Sequence, residues 1–162
     1  MKVMTLILLT AVSAGGQSSW LTSKLNDSPN PRDLETLTLR GSYLPSGGFA
    51  RPNVTLVCRN GKLLSSSFNT SLSKRVFRAA LAPGSGKLSV FIRVAGKKDA
   101  YKEWKVLGGN GSFHTDFRFV KDLVTAGRVD VDFYTPSASK ITAEFQPSPA
   151  DAPRVMKDCG IR

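Results

Sequence analysis

RVDVDFYTPSASKITAEF, residues 128–145, alternates apolar and polar side chains with period two on either side of a short polar connection. In its first half Val129, Val131 and Phe133 alternate with Arg128, Asp130 and Asp132; in its second, Ile141, Ala143 and Phe145 alternate with Lys140, Thr142 and Glu144. Successive side chains of a strand point to opposite faces, so the stretch predicts a β-hairpin with one apolar and one charged face. An antiparallel sheet of this kind is wetted on one side and must be covered on the other. Asp130, Asp132 and Glu144 fall on the charged face, where carboxylates cluster in glycosidases or around calcium. Their alternation with core residues favours a solvated face without chemistry.

The cover is sought outward from this hairpin. Leu34–Arg40 reads as a strand with Leu37 and Leu39 on one face and Thr36 and Thr38 on the other. Asn53–Arg59 and Lys62–Asn69 flank Asn60-Gly61, and both central residues of a type I′ turn need positive φ, so this pair predicts a second hairpin. Leu88, Val90, Ile92 and Val94 alternate with Ser89, Phe91 and Arg93; residues 101–107 form the partner strand, with Trp104 and Val106 on one face. Residues 42–52, rich in proline and glycine, read as a surface loop, and the Gly47-Gly48 pair in it as a plain turn. Residues 72–82 fit a strand and a short helix equally well. Phe117, Val120 and Val124 recur at helical spacing between Asp116, a suitable N-cap, and Gly127, a C-terminal glycine. Ala152, Val155, Met156 and Cys159 share one face of a last helix stopped by Gly160. The fold class is mainly β: an antiparallel β-sandwich or open barrel with one short inserted helix and a short C-terminal helix.

Residues 1–14 have one early lysine, an apolar run and small residues near Ala14, the pattern of a secretory signal peptide. Residues 15–162 then form a single β-rich domain, periplasmic or secreted. The apolar run falls far short of the ~20 residues that a spanning helix needs, so no transmembrane span is expected. The net charge of +11 loses only Lys2 on processing and favours polyanionic partners. Outside the cytoplasm these are anionic polysaccharides, lipid headgroups and acidic proteins, ahead of nucleic acid. Two cysteines in an exported chain favour one disulfide. Cys58 shares its strand face with Val54 and Leu56, and Cys159 its helix face with Val155, so both point inward; the alternative is two buried free thiols.

The candidate chemistry is sparse. His114 beside Asp116 has no nucleophile motif near it and reads as an exposed loop histidine. Lys97, Lys98, Lys102 and Lys105 with Tyr101 and Trp104 form a basic-aromatic patch suited to sugars or bases, provided that Trp104 faces outward. Lys97, Lys98, Tyr101, Lys102 and Lys105 are therefore the candidate ligand-binding residues. Two cysteines and one histidine make a structural zinc site improbable, and neither a cofactor nor an enzymatic activity is expected.

The order VFIRV (90–94), isolated Trp104, FVKDLV (119–124), RVDVDFYT, ITAEF and Cys159-Gly160 after a short helix resembles the type VI secretion-associated VasI family. The strand 54–58 with its Asn-Gly turn looks like that family's first cysteine-bearing strand, and the resemblance covers residues 53–162. It implies an exported, non-catalytic envelope protein, an accessory of type VI secretion whose partners are envelope or secretion-system proteins.

Overall fold

In a computed structural model, which describes residues 17–24, 34–44, 50–72, 86–108, 111–134 and 139–162, the chain forms two five-stranded antiparallel sheets packed as an open sandwich. One sheet contains, in spatial order, β1 (Leu21–Lys24), β2 (Leu34–Arg40), β4 (Asn53–Arg59), β5 (Lys62–Asn69) and β8 (Ser112–His114). The other contains β3 (Ser42–Leu44), β10 (Lys140–Phe145), β9 (Val129–Tyr134), β6 (Lys87–Val94) and β7 (Ala100–Lys105). Among the described residues two α-helices, α1 (Phe117–Thr125) and α2 (Ala152–Cys159), accompany them. None of the described helices is long and apolar enough to cross a membrane.

The strand alternation dictates which side chains meet. Val129 pairs with Phe145, Val131 with Ala143 and Phe133 with Ile141 across β9 and β10, so the apolar sides of both strands coincide. Leu37, Leu39, Val54, Leu56 and Phe68 present the facing layer from the first sheet and are inaccessible to solvent. Phe68 is the keystone: its ring stands edge-on to Phe133 and Phe145 at 6.3 and 6.1 Å and tilts against Trp104 at 5.4 Å. Asn60 and Gly61 have φ of 49° and 69°, as the hairpin turn between β4 and β5 requires. The register slips between Val57 and Cys58, so that Leu64 has no partner across the ladder and is left exposed.

Three expectations need correction. Residues 42–52 are not all loop: Ser42–Leu44 forms an edge strand against β10. The chain changes sheets at Gly41, where a Cβ would lie 2.6 Å from the Glu144 carbonyl oxygen, so the turn chemistry marks a crossover. Tyr43 then packs edge-on to Phe133 at 6.4 Å and donates its phenol to the Thr70 carbonyl at 2.5 Å; burial pushes that phenol above its ordinary pKa range. In α1 the buried face is Phe119, Val120, Leu123 and Val124, whereas Phe117 is exposed. Asp116 does cap the helix, accepting from the Phe119 N–H at 3.0 Å, but the helix ends in extended backbone at Ala126 and Gly127 does not adopt the left-handed conformation. Finally, β7 stops at Lys105, and Val106 bridges to Phe113 of β8, joining the edges of the two sheets. The signal peptide at 1–14, the Gly47-Gly48 pair, and most of the ambiguous 72–82 stretch lie outside the described residues.

The C-terminal helix closes the fold. Cys58 and Cys159 form a disulfide with their Cα atoms 5.0 Å apart, both buried as their strand and helix faces require. Gly160 takes the left-handed cap conformation, and Ile161 beyond it is buried. Trp20 fills the core edge; its backbone N–H donates to the Asp151 carboxylate at 2.9 Å, and the Arg154 guanidinium donates to its carbonyl at 3.1 Å.

Candidate functional site

The turn between β6 and β7 brings inward-facing strand residues against the side of α1. Ile92, Val94 and Ala100 form an apolar floor, and Lys97, Lys98, Arg118 and Asp122 the rim, of a pocket of about 250 Å³. The turn is set by Gly96 at φ 76° and by the Lys97 N–H donating to the Val94 carbonyl at 3.0 Å. Two ion pairs clip the helix to the hairpin: Lys97 to the nearly buried Asp122, and Lys102 to the capping Asp116 at 3.6 Å. Among the described residues neither Lys98 nor Arg118 has a carboxylate partner. Three cations against one carboxylate leave the rim positive, over an apolar floor. Such a site favours an anionic group carried on an apolar or sugar stem, because the charge can meet Lys98 and Arg118 while the stem leaves water.

The carboxylates of the central hairpin are arranged differently from the solvated face that alternation predicts. Asp130 and Asp132 are only 8 and 6 % exposed, because long cationic side chains lie over them. Arg93 from β6 reaches Asp130 at 3.4 Å and Asp132 at 3.0 Å; Arg128 reaches Asp130 at 3.0 Å and Glu144 at 2.6 Å. Lys140 lies 3.6 Å from Asp132, whose other oxygen accepts from the Thr142 hydroxyl at 2.7 Å. The hydrogen bonds that Arg128 donates to Asp130, with Glu144 nearby, hold its guanidinium above its ordinary pKa. Three acids are thus matched by three cations, an arrangement that neutralises itself. Among the described residues no group of three or more His, Cys, Asp or Glu is placed to hold a metal ion.

The residues grouped by the sequence into one basic-aromatic patch are separated by the strand's own pleat. Lys97 and Lys98 line the pocket; Lys102 lies on the same inward side, tied to Asp116. Tyr101 and Lys105 project from the opposite, outer face of β7. Trp104 is in the core, 4.9 Å from the Phe119 ring, so the condition for a stacking patch fails there. His114 is exposed on β8, and the neighbouring Asp116 carboxylate is engaged by the helix N-terminus and Lys102. Arg118, absent from the sequence-based patch, stands four residues before Asp122 on α1, a spacing that places both on one helix face.

No family model, curated protein or solved structure matches the chain.

Proposed function

We propose that the protein is an exported binding module that holds an anionic group of an envelope polysaccharide or lipid headgroup in the pocket between α1 and the β6–β7 turn, without chemical turnover. The observation that carries this reading is the juxtaposition of Lys98 and Arg118, both without a carboxylate partner among the described residues, over the Ile92, Val94 and Ala100 floor. The overall charge of +11 draws polyanions towards it, and the buried disulfide fits an oxidising compartment. The test is co-sedimentation with lipopolysaccharide and with vesicles of phosphatidylglycerol or phosphatidylcholine. Binding to an anionic partner should weaken as salt rises through ~0.15 M, where exposed charges are screened beyond ~8 Å, and should fall in the Lys98→Ser, Arg118→Ser double variant. Equal binding to phosphatidylcholine, or binding unchanged in the double variant, rejects the pocket.

The pathway is read from the resemblance of residues 53–162 to the type VI secretion-associated family, which includes the cysteine pair. On this reading the protein is a non-catalytic accessory whose partners are envelope or secretion-system proteins. Deletion of the gene should impair secretion while leaving hydrolytic activities intact; unimpaired secretion rejects it.

A further inference from the structure

The outer face of the second sheet carries a row of three exposed rings that neither the core nor the pocket uses. Tyr134, Phe91 and Tyr101 are 48, 41 and 54 % exposed. Their centroids step 6.4 Å from Tyr134 to Phe91 and 5.3 Å from Phe91 to Tyr101. Phe91 and Tyr101 are register partners across β6 and β7, and Phe91 sits opposite Asp132, two residues before Tyr134 on β9. The row therefore runs across three strands.

The surroundings of the rings select the ligand. Every other outward residue of β6, β7, β9 and β10 is polar or charged, and the exposed aliphatic Leu44 on this face lies on the edge strand β3, two strands away from Tyr134. In a chain of net charge +11 the cations beside the rings are paired, while Lys105 at the end of β7 adds one outward cation that no acid of these strands matches. Arg93 and Lys140 are matched by Asp130 and Asp132, and Lys87 pairs with Glu103 at 3.0 Å. Hydroxyls border the row: Ser89 Oγ is 3.0 Å from the Tyr101 hydroxyl, which donates to Glu103 Oε1 at 3.3 Å.

We infer that the Tyr134, Phe91 and Tyr101 row binds a neutral saccharide laid across the strands. A pyranose offers an apolar C–H face and a hydroxyl edge, so the face packs on the rings while the edge exchanges hydrogen bonds with Ser89, Tyr101 and Glu103. An anion finds the cations next to the rings already paired, and an aliphatic side chain finds its anchor, Leu44, only two strands away from the row. The site is independent of the pocket, whose strand residues Ile92, Val94 and Ala100 face the other side of the same sheet.

The test applies the purified protein to an array of neutral and charged glycans at ~0.15 M salt. At least one neutral glycan should bind, with affinity reduced about tenfold or more by Phe91→Ala or Tyr101→Ala and retained by the Lys98→Ser, Arg118→Ser double variant. Tyr101→Phe, which keeps the ring, should lose less than Tyr101→Ala. A thermal melt confirms folding, and because Tyr101 is the most exposed ring its variants keep the test open if Phe91→Ala does not fold. Binding confined to charged glycans, no glycan binding at all, equal binding by the ring variants, or loss only in the pocket variant overturns the inference.

Discussion

Gly160 and Gly61 meet backbone to backbone: a side-chain carbon on Gly160 would lie 2.1 Å from the Gly61 carbonyl oxygen. Gly160 also has φ 61°, where an L side chain is strained. Gly160→Ala should therefore destabilise the domain by more than ~1 kcal/mol, since strain and overlap act together. Gly127→Ala, at ordinary φ with open space around its Cβ, should be neutral or stabilise by up to ~1 kcal/mol. Denaturant midpoints measure both; equal effects would show that the turn and tail are not in contact.

The disulfide joins residues 101 positions apart, and the chain-entropy relation assigns such a loop about 4.7 kcal/mol. Cys159→Ser should lower stability by a few kcal/mol. Intact mass after alkylation without reduction should show no modified thiol, whereas two alkylated cysteines would mean that packing alone holds α2.

Phe68 meets three rings from the opposite sheet, and Phe68→Ala should cost about 3–5 kcal/mol. Phe117→Ala, at an exposed position of α1, should stay within ~0.5 kcal/mol. Thermal melts of the two variants compare them directly; a Phe117 effect as large as that of Phe68 would contradict the orientation of the helix.

Glu103 is held below the usual glutamate range first by the hydrogen bond from Lys87 and then by its charge, with Tyr101 adding a smaller contribution. Because its folded pKa is depressed, any stabilisation by the pair is present above the unfolded pKa and fades as pH falls through the folded one. NMR titration of the Glu103 carboxyl should show the depressed value, and Lys87→Met should move it back upward. No upward movement would sink the assignment of the cause.

The parts of the fold that were legible are those fixed by alternation and turn chemistry within one segment. The two faces of residues 129–145, the Asn60-Gly61 turn and the inward aim of Cys58 and Cys159 all follow from neighbours in sequence. The fate of the hairpin carboxylates did not, because their cover comes partly from Arg93, which is 39 residues from Asp132. Period two tells which side a residue takes and nothing of what lies across that side. Strand β3 escaped because three residues are too few for a period and Gly41 before them resembles a terminator. The patch around Tyr101 failed for the opposite reason: it grouped sequence neighbours that a strand sends to opposite faces. Half of the pocket's rim, Lys97 and Lys98, is legible in the sequence, while Arg118 arrives from a helix that only the tertiary fold brings alongside.

The bonds between Trp20 and residues Asp151 and Arg154 span 131 and 134 positions, which imposes an order in time on a chain made from its N-terminus. Strands β2, β4 and β5 are neighbours in the sheet and are separated in sequence only by the short β3 and its flanking residues, so they can pair early. Their apolar layer of Leu37, Leu39, Val54, Leu56 and Phe68 is covered in full only once β9 and β10 join Trp104 of β7, and long-range pairing of this kind is slow. The contact of α2 with Trp20 can therefore form only after every described strand of both sheets has been made, which leaves the closure of the fold to the last residues of the domain.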